Sequence, residues 1–108
     1  DSIKDPGNLG TIIRTADWFG IRSIICTRET VDVYNPKVVQ ATMGSLARVQ
    51  VHYVDLEKVL SETPTDIDVY GAYMHGEPVS SIEKQGKGII LIGSEAHGIS
   101  KDYLSLIT

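Results

Sequence analysis

Asp5–Gly20 reads DPGNLGTIIRTADWFG. It opens in turn chemistry, Asp-Pro followed by Gly7, Asn8 and Gly10, and runs into a helical pattern. Leu9, Ile12, Ile13, Ala16 and Phe19 recur at spacings of three, one, three and three, which predicts one apolar helical face. Asn8 stands directly before the first apolar residue, where an N-cap side chain accepts from a first-turn amide. On that reading the helix start is a glycine-bordered concavity, suited to a phosphate, a carboxylate or a close backbone partner. Arg14 lies off the apolar stripe, with Gly10 and Thr11 before it and Asp17 and Trp18 after it. Two readings stand for it. One is a solvated arginine paired with Asp17 and stacked on Trp18; the other is a functional guanidinium on an RNA-facing or partner-facing surface.

Working outward, Gly20 takes the C′ position that closes a helix. Arg22–Thr27 is a short apolar run with β-branched residues, a buried strand. Pro36 fits N1 of a short helix over Lys37–Ala41, and Arg48–Val54 alternates as a strand with one polar face. Asp55 caps a helix that ends before Pro64. Asp68–Met74 is the next strand, in which Gly71 predicts a close backbone approach. A short turn or helix around Ser80–Glu83 leads through Gln85–Gly88 to the most hydrophobic strand, Gly88–Ile92, expected at the sheet centre. A last helix begins at about Lys101. This alternation predicts one α/β domain, residues 1–108, with a parallel sheet and helices on both faces. Ligands of such sheets bind outside the carboxyl ends of the strands. Ala41–Leu46, Tyr73–Glu77 and Gly93–Ser100 are the candidate loops.

Net charge is −4, which by itself argues against a nucleic-acid binder. The distribution is uneven: residues 1–50 carry six basic and five acidic groups, residues 51–108 four and nine. All four arginines, Arg14, Arg22, Arg28 and Arg48, fall in the first half, so an anionic partner is expected there. No stretch approaches the ~20 apolar residues of a membrane span. Asp1 opens in polar sequence without a signal-peptide pattern, and the single cysteine, Cys26, excludes an intrachain disulfide. A cytoplasmic location is expected.

Gly93-Ser94-Glu95-Ala96-His97-Gly98 continues the Gly88–Ile92 strand without a break. Gly93 is expected to let a ligand approach the strand end, and Gly98 to supply a positive φ where the loop returns. Glu95 is either a carboxylate holding ribose hydroxyls or an arginine, or an ordinary helix-capping acid. His52, His75 and His97 are spaced by 23 and 22 residues with no cysteine pair, so no metal site is expected. Neither a dinucleotide fingerprint nor a P-loop is present. Ser94 lacks a G-x-S-x-G context, which argues against a hydrolase.

The segment Asp5–Ile21 closely resembles the first motif of the SpoU (TrmH-like) RNA 2′-O-ribose methyltransferases, a branch of the SPOUT superfamily; Asn8, Gly10 and Arg14 stand at its core positions. Leu91–Ser100, LIGSEAHGIS, resembles the second motif, with Gly93, Glu95 and Gly98 matching, and Ala41–Val51 resembles the connecting segment. The resemblance implies a trefoil-knotted α/β fold, a homodimer, and methyl transfer from S-adenosylmethionine to a ribose 2′-hydroxyl of tRNA or rRNA. It implies that Arg14 assists deprotonation of the hydroxyl or holds the adjacent phosphate, that Asn8 orients the arginine, and that Glu95 braces the site. It places the cofactor against Ala72, Tyr73 and Met74 and against Ile92, Gly93, Ser94 and Gly98. The family's third motif is expected just after Thr108 and a further strand before Asp1. The 108 residues alone are therefore expected to bind cofactor weakly and to be inactive. Two alternatives remain open: a non-catalytic RNA-binding or dimerisation module of the same fold, and a generic nucleotide-binding α/β domain built on Gly7–Gly10.

Overall fold

The computed structural model describes residues 1–83 and 86–108, so the Gln85 end of the expected Gln85–Gly88 loop lies outside the described residues. The elements in order are α1 (Pro6–Trp18), β1 (Ser23–Thr27), α2 (Pro36–Ala41), a 3₁₀ turn at Ser45–Ala47, β2 (Gln50–Val54), α3 (Leu56–Ser61), β3 (Asp68–Gly71), a 3₁₀ turn at Val79–Ser81, β4 (Gly88–Leu91) and α4 (Lys101–Leu104). The chain is α/β, and both pairs of described strands are parallel. The described strands form two pairs rather than one run: β1 with β2, and β3 with β4. In each case strands adjacent in sequence, joined by a crossover, become neighbours in space. β4 therefore pairs with β3 alone among the described residues instead of lying between two strands, and Ile90 is 67% exposed. The chain divides into two compact units, Asp1–Leu56 and Glu57–Thr108.

In the first unit α1 is the organising element. Leu9, Ile13 and Ala16 are buried on the face that the periodicity marks, and Ile12 packs at its edge. They meet Cys26 of β1, Val33, Val38 of α2, Val49 and the N-terminal Ile3. Burial of each large aliphatic side chain here contributes ~1.5–3 kcal/mol. Phe19 does not join this face and is 73% exposed. The helix ends at Trp18, and Phe19, as C-cap, has left the helical phase. Gly20, at φ +73°, and Ile21 then donate to the carbonyls of Asp17 and Ala16, the paired bonds of a Schellman ending. The N-terminal segment is pinned by Ser2, whose amide donates to Thr27 Oγ1, and by Val31, whose amide donates to the Ile3 carbonyl.

In the second unit β3 and β4 pair in register from Asp68 opposite Gly88 to Gly71 opposite Leu91. Val69, Leu91 and Ile99 are buried. Thr108 ties the last residues to β3: its amide donates to the Val69 carbonyl and its hydroxyl accepts from the Val69 amide. Gly71 is required by side chains rather than by a neighbouring backbone, because a Cβ there would lie 2.4 Å from Ile107 Cδ1.

Candidate functional site

The start of α1 is built differently from the sequence expectation. Asp5, not Asn8, is the N-cap: its carboxylate accepts from the Asn8 amide at 2.8 Å, with Pro6 at the first helical position. The proline cannot donate and its φ suits the first turn, so the helix begins a turn earlier than the apolar pattern marks. A carboxylate thus occupies the positive end of the helix, and an anion there would meet like charge. This removes the basis for the phosphate concavity and for the generic nucleotide-binding reading. Gly10 is a packing residue inside the helix. A Cβ on it would lie 2.3 Å from Ala41 Cβ and 2.9 Å from the Ala41 carbonyl carbon, so its missing side chain lets α1 and α2 touch.

Arg14 projects from the middle of α1 and is exposed. It makes no ion pair or hydrogen bond with any described residue, Asn8 included. The local pairing expected of it does not form, because each polar neighbour is engaged elsewhere. Thr11 donates to the Gly7 carbonyl, and Thr15 to the Thr11 carbonyl. Asp17 is gripped by Arg48, whose Nε reaches both carboxylate oxygens at 3.0 and 2.9 Å and whose Nη2 reaches Oδ2 at 2.8 Å. The buried Ser45 hydroxyl donates to the same Oδ2 at 2.9 Å. The Arg48 bonds, and then that of Ser45, hold the Asp17 carboxyl below its ordinary range. Asn8 and Arg14 are six residues apart on the helix, ~9 Å along its axis, so Asn8 does not orient the guanidinium directly.

The second unit gathers the expected cofactor residues at one edge. Because β3 and β4 are parallel and in register, Ala72–Met74 and Ile92–Gly98 leave the sheet side by side, and the Ala72 amide donates to the Leu91 carbonyl at 2.9 Å. Tyr73 is 50% exposed and Met74 92%, and the Tyr73 ring meets His75 edge-on with centroids 5.6 Å apart. Ile92 is also exposed. The Gly93–Ser100 loop closes on itself. Ser94 and Gly98 exchange backbone hydrogen bonds at 2.9 Å, and the Ser94 hydroxyl accepts from the His97 amide. Gly98 has φ +67°, as expected of the return. The loop itself requires Gly93: a Cβ there would lie 1.9 Å from Gly98 C and 2.0 Å from Ile99 N. Glu95 and Ala96 form the exposed tip between the bridged residues.

Ala41–Leu46 does not belong with the carboxyl-edge loops. It follows α2 and feeds the amino end of β2, and it turns through Met43 and Gly44, both at positive φ. No group of three or more His, Cys, Asp or Glu side chains among the described residues is placed to hold a metal ion. A depression of about 310 Å³, lined in part by Tyr34, Leu46, Val49 and His52, contains none of the expected catalytic or cofactor residues. Sequence reasoning missed the Asp5 cap and the Asp17–Arg48–Ser45 cluster. The first was legible in Asp-Pro ahead of a helix; the second joins residues 31 apart and has no local signal.

The model of the SpoU rRNA Methylase family matches residues 1–108. A 23S rRNA guanosine 2′-O-methyltransferase of Bacillus subtilis is 33% identical over 101 residues, covering 92% of this chain and 41% of its own length. A solved TrmH-family protein from Porphyromonas gingivalis superposes with a TM-score of 0.93 at 42% identity, covering 100% of this chain and 45% of that one. The SpoU methyltransferase AviRb from Streptomyces viridochromogenes, crystallised with S-adenosylmethionine, gives a TM-score of 0.86 at 32% identity, covering 99% and 46%. This chain thus spans less than half the length of these relatives. With residues 1–108 matched by that family's model, the chain belongs to the SpoU rRNA methylase family.

Proposed function

We propose that the protein to which these residues belong transfers a methyl group from S-adenosylmethionine to a ribose 2′-hydroxyl of rRNA or tRNA. The observation that carries this reading is the meeting of Ala72–Met74 and Ile92–Gly98 at one carboxyl edge, in a chain matched by the family along its length. The residues there fit the cofactor's chemistry. S-adenosylmethionine has no phosphate, so its site needs no phosphate cradle. The ligand is cationic at its sulfonium and ammonium groups, and residues 51–108 carry nine acidic against four basic groups. Exposed Tyr73, Met74 and Ile92 offer apolar surface to an adenine ring, beside backbone groups of Gly93 and Ser94.

When bound, the cofactor supplies an electrophilic methyl carbon on a sulfonium, which leaves as a neutral thioether. The chain must position the hydroxyl and accommodate the charge that develops as its proton departs. Arg14 is assigned to the phosphate beside the target ribose or to the developing oxyanion. Proton abstraction is not its task, because a guanidinium remains protonated in proteins. Glu95 is assigned to the ligand-facing tip of the second unit, and Asn8 to support of the first turn of α1. A homodimer and a cytoplasmic location complete the reading. The exposure of Trp18 and Phe19 at the end of α1 supports a partner-covered surface, and no helix among the described residues is long and apolar enough to cross a membrane. Mapping 2′-O-methylation in RNA from cells with and without the gene tests the proposal. Loss of at least one mark is expected; unchanged maps would return the non-catalytic module.

A further inference from the structure

The Asp17–Arg48 pair has the geometry of a fixed device but the exposure of a weak stabiliser. Arg48 is 61% exposed, and exposed ion pairs contribute little to folding. Yet Arg48 engages both carboxylate oxygens, and the Ser45 hydroxyl, from a residue only 6% exposed, donates to Oδ2 as well. Asp17 lies three residues beyond Arg14 on α1, the spacing at which an arginine and an aspartate on a helix pair. Arg14 is nevertheless without a described partner, and Asp17 is the acidic side chain on its own helix within that reach.

We infer that Arg48 is a positioning residue: by occupying Asp17 it withholds the carboxylate from Arg14 and leaves that guanidinium available to an RNA phosphate. Two effects act together. Arg48 and Ser45 take the lone pairs that Arg14 would otherwise use. Arg48 also offsets the negative charge that would weaken any anion held by Arg14 a few ångströms away. The pair thus sets where positive charge is free on the surface of α1. This inference rests on the methyl-transfer reading above.

The test uses the full-length protein and rRNA purified from cells lacking the gene. Steady-state methyl transfer, filter binding of the RNA and crystal structures are measured for R48M, R48K, D17N, the double variant D17N/R48M and the charge control K37M. In R48M, Arg14 should turn to Asp17 within ion-pair distance, and RNA affinity and methyl transfer should fall roughly threefold to tenfold, the size of one surface pair plus one uncompensated charge. R48K should retain most activity, because lysine still pairs with Asp17. D17N and D17N/R48M should stay within about twofold of wild type, since a neutral amide neither captures nor opposes Arg14. K37M removes the same charge elsewhere on the unit and should change activity by less than about twofold. A merely structural tie between α1 and the Ser45–Ala47 turn would make D17N and the double variant as defective as R48M, and that result overturns the proposal. So does an R48M protein as active as wild type, or one in which Arg14 remains unpaired. If wild-type protein neither binds nor methylates the RNA, the functional reading fails first and carries this inference with it.

Discussion

Replacing Gly10 with alanine puts a methyl group where α2 already has one. The new Cβ would lie 2.3 Å from Ala41 Cβ, 2.9 Å from its carbonyl carbon and 3.1 Å from its Cα. Ordinary carbon–carbon contact is ~3.5–4.0 Å, so α2 must retreat by more than ~1 Å. Two of the three obstructing atoms are backbone, so a rotamer change cannot relieve the clash. Overpacking of this kind costs ~1–3 kcal/mol, and the backbone contacts argue for the upper end. Alanine returns ~1 kcal/mol through its better helix propensity. The net expectation is a loss of ~2 kcal/mol, measured by urea unfolding followed by far-UV circular dichroism. Ala41→Gly removes the first obstacle, so the Gly10→Ala penalty should shrink by at least ~1 kcal/mol in an A41G background. A stabilised G10A protein, or the same penalty in both backgrounds, would refute the close contact between α1 and α2.

Other outcomes follow from the same geometry. Asp5→Ala should destabilise by ~1 kcal/mol through loss of the N-cap, while Asp5→Asn costs only a few tenths; equal losses in an unfolding titration would place the cap elsewhere. Cys26 is buried, and desolvation raises its thiol above the ordinary value of 9.0. The folded state therefore holds that proton more tightly than the unfolded chain. The contribution is fully present below pH 9.0 and declines as pH rises through the folded pKa, so wild type should lose more stability than Cys26→Ala between pH 9 and 10.5. Prompt alkylation of the native protein at pH 8 would contradict that burial. Gly93→Ala forces a Cβ to within 1.9 Å of Gly98 C, so the loop cannot close. In the full-length protein, affinity for S-adenosylmethionine by calorimetry should fall by more than tenfold, and unchanged affinity would contradict the assigned loop.

What could be read from the sequence was local. The α1 stripe, the Gly20 ending, Pro36 opening α2, the alternation in β2 and the start of α4 each depend on residues a few positions apart. The errors arose where a distant partner decides the role. Gly10 looks like a turn glycine until Ala41 is beside it, and the loop's own requirement for Gly93 shows only once Gly98 and Ile99 are folded against it. Gly71 faces Ile107, 36 positions away. Arg14 is the clearest case. Its helical neighbours predict a pair with Asp17, and only Arg48, from another segment, shows why that pair is not made. The motif residues were thus legible, while the contacts that determine their availability were not.

The most direct test of the proposed chemistry follows the methyl group itself. Full-length protein is incubated with trideuteromethyl S-adenosylmethionine and rRNA from cells lacking the gene, and the digested nucleosides are separated by mass spectrometry. The label is expected on a ribose 2′-oxygen, reduced at least tenfold by Arg14→Ala while cofactor affinity persists. Label on a base, or ribose label undiminished in R14A, would contradict it.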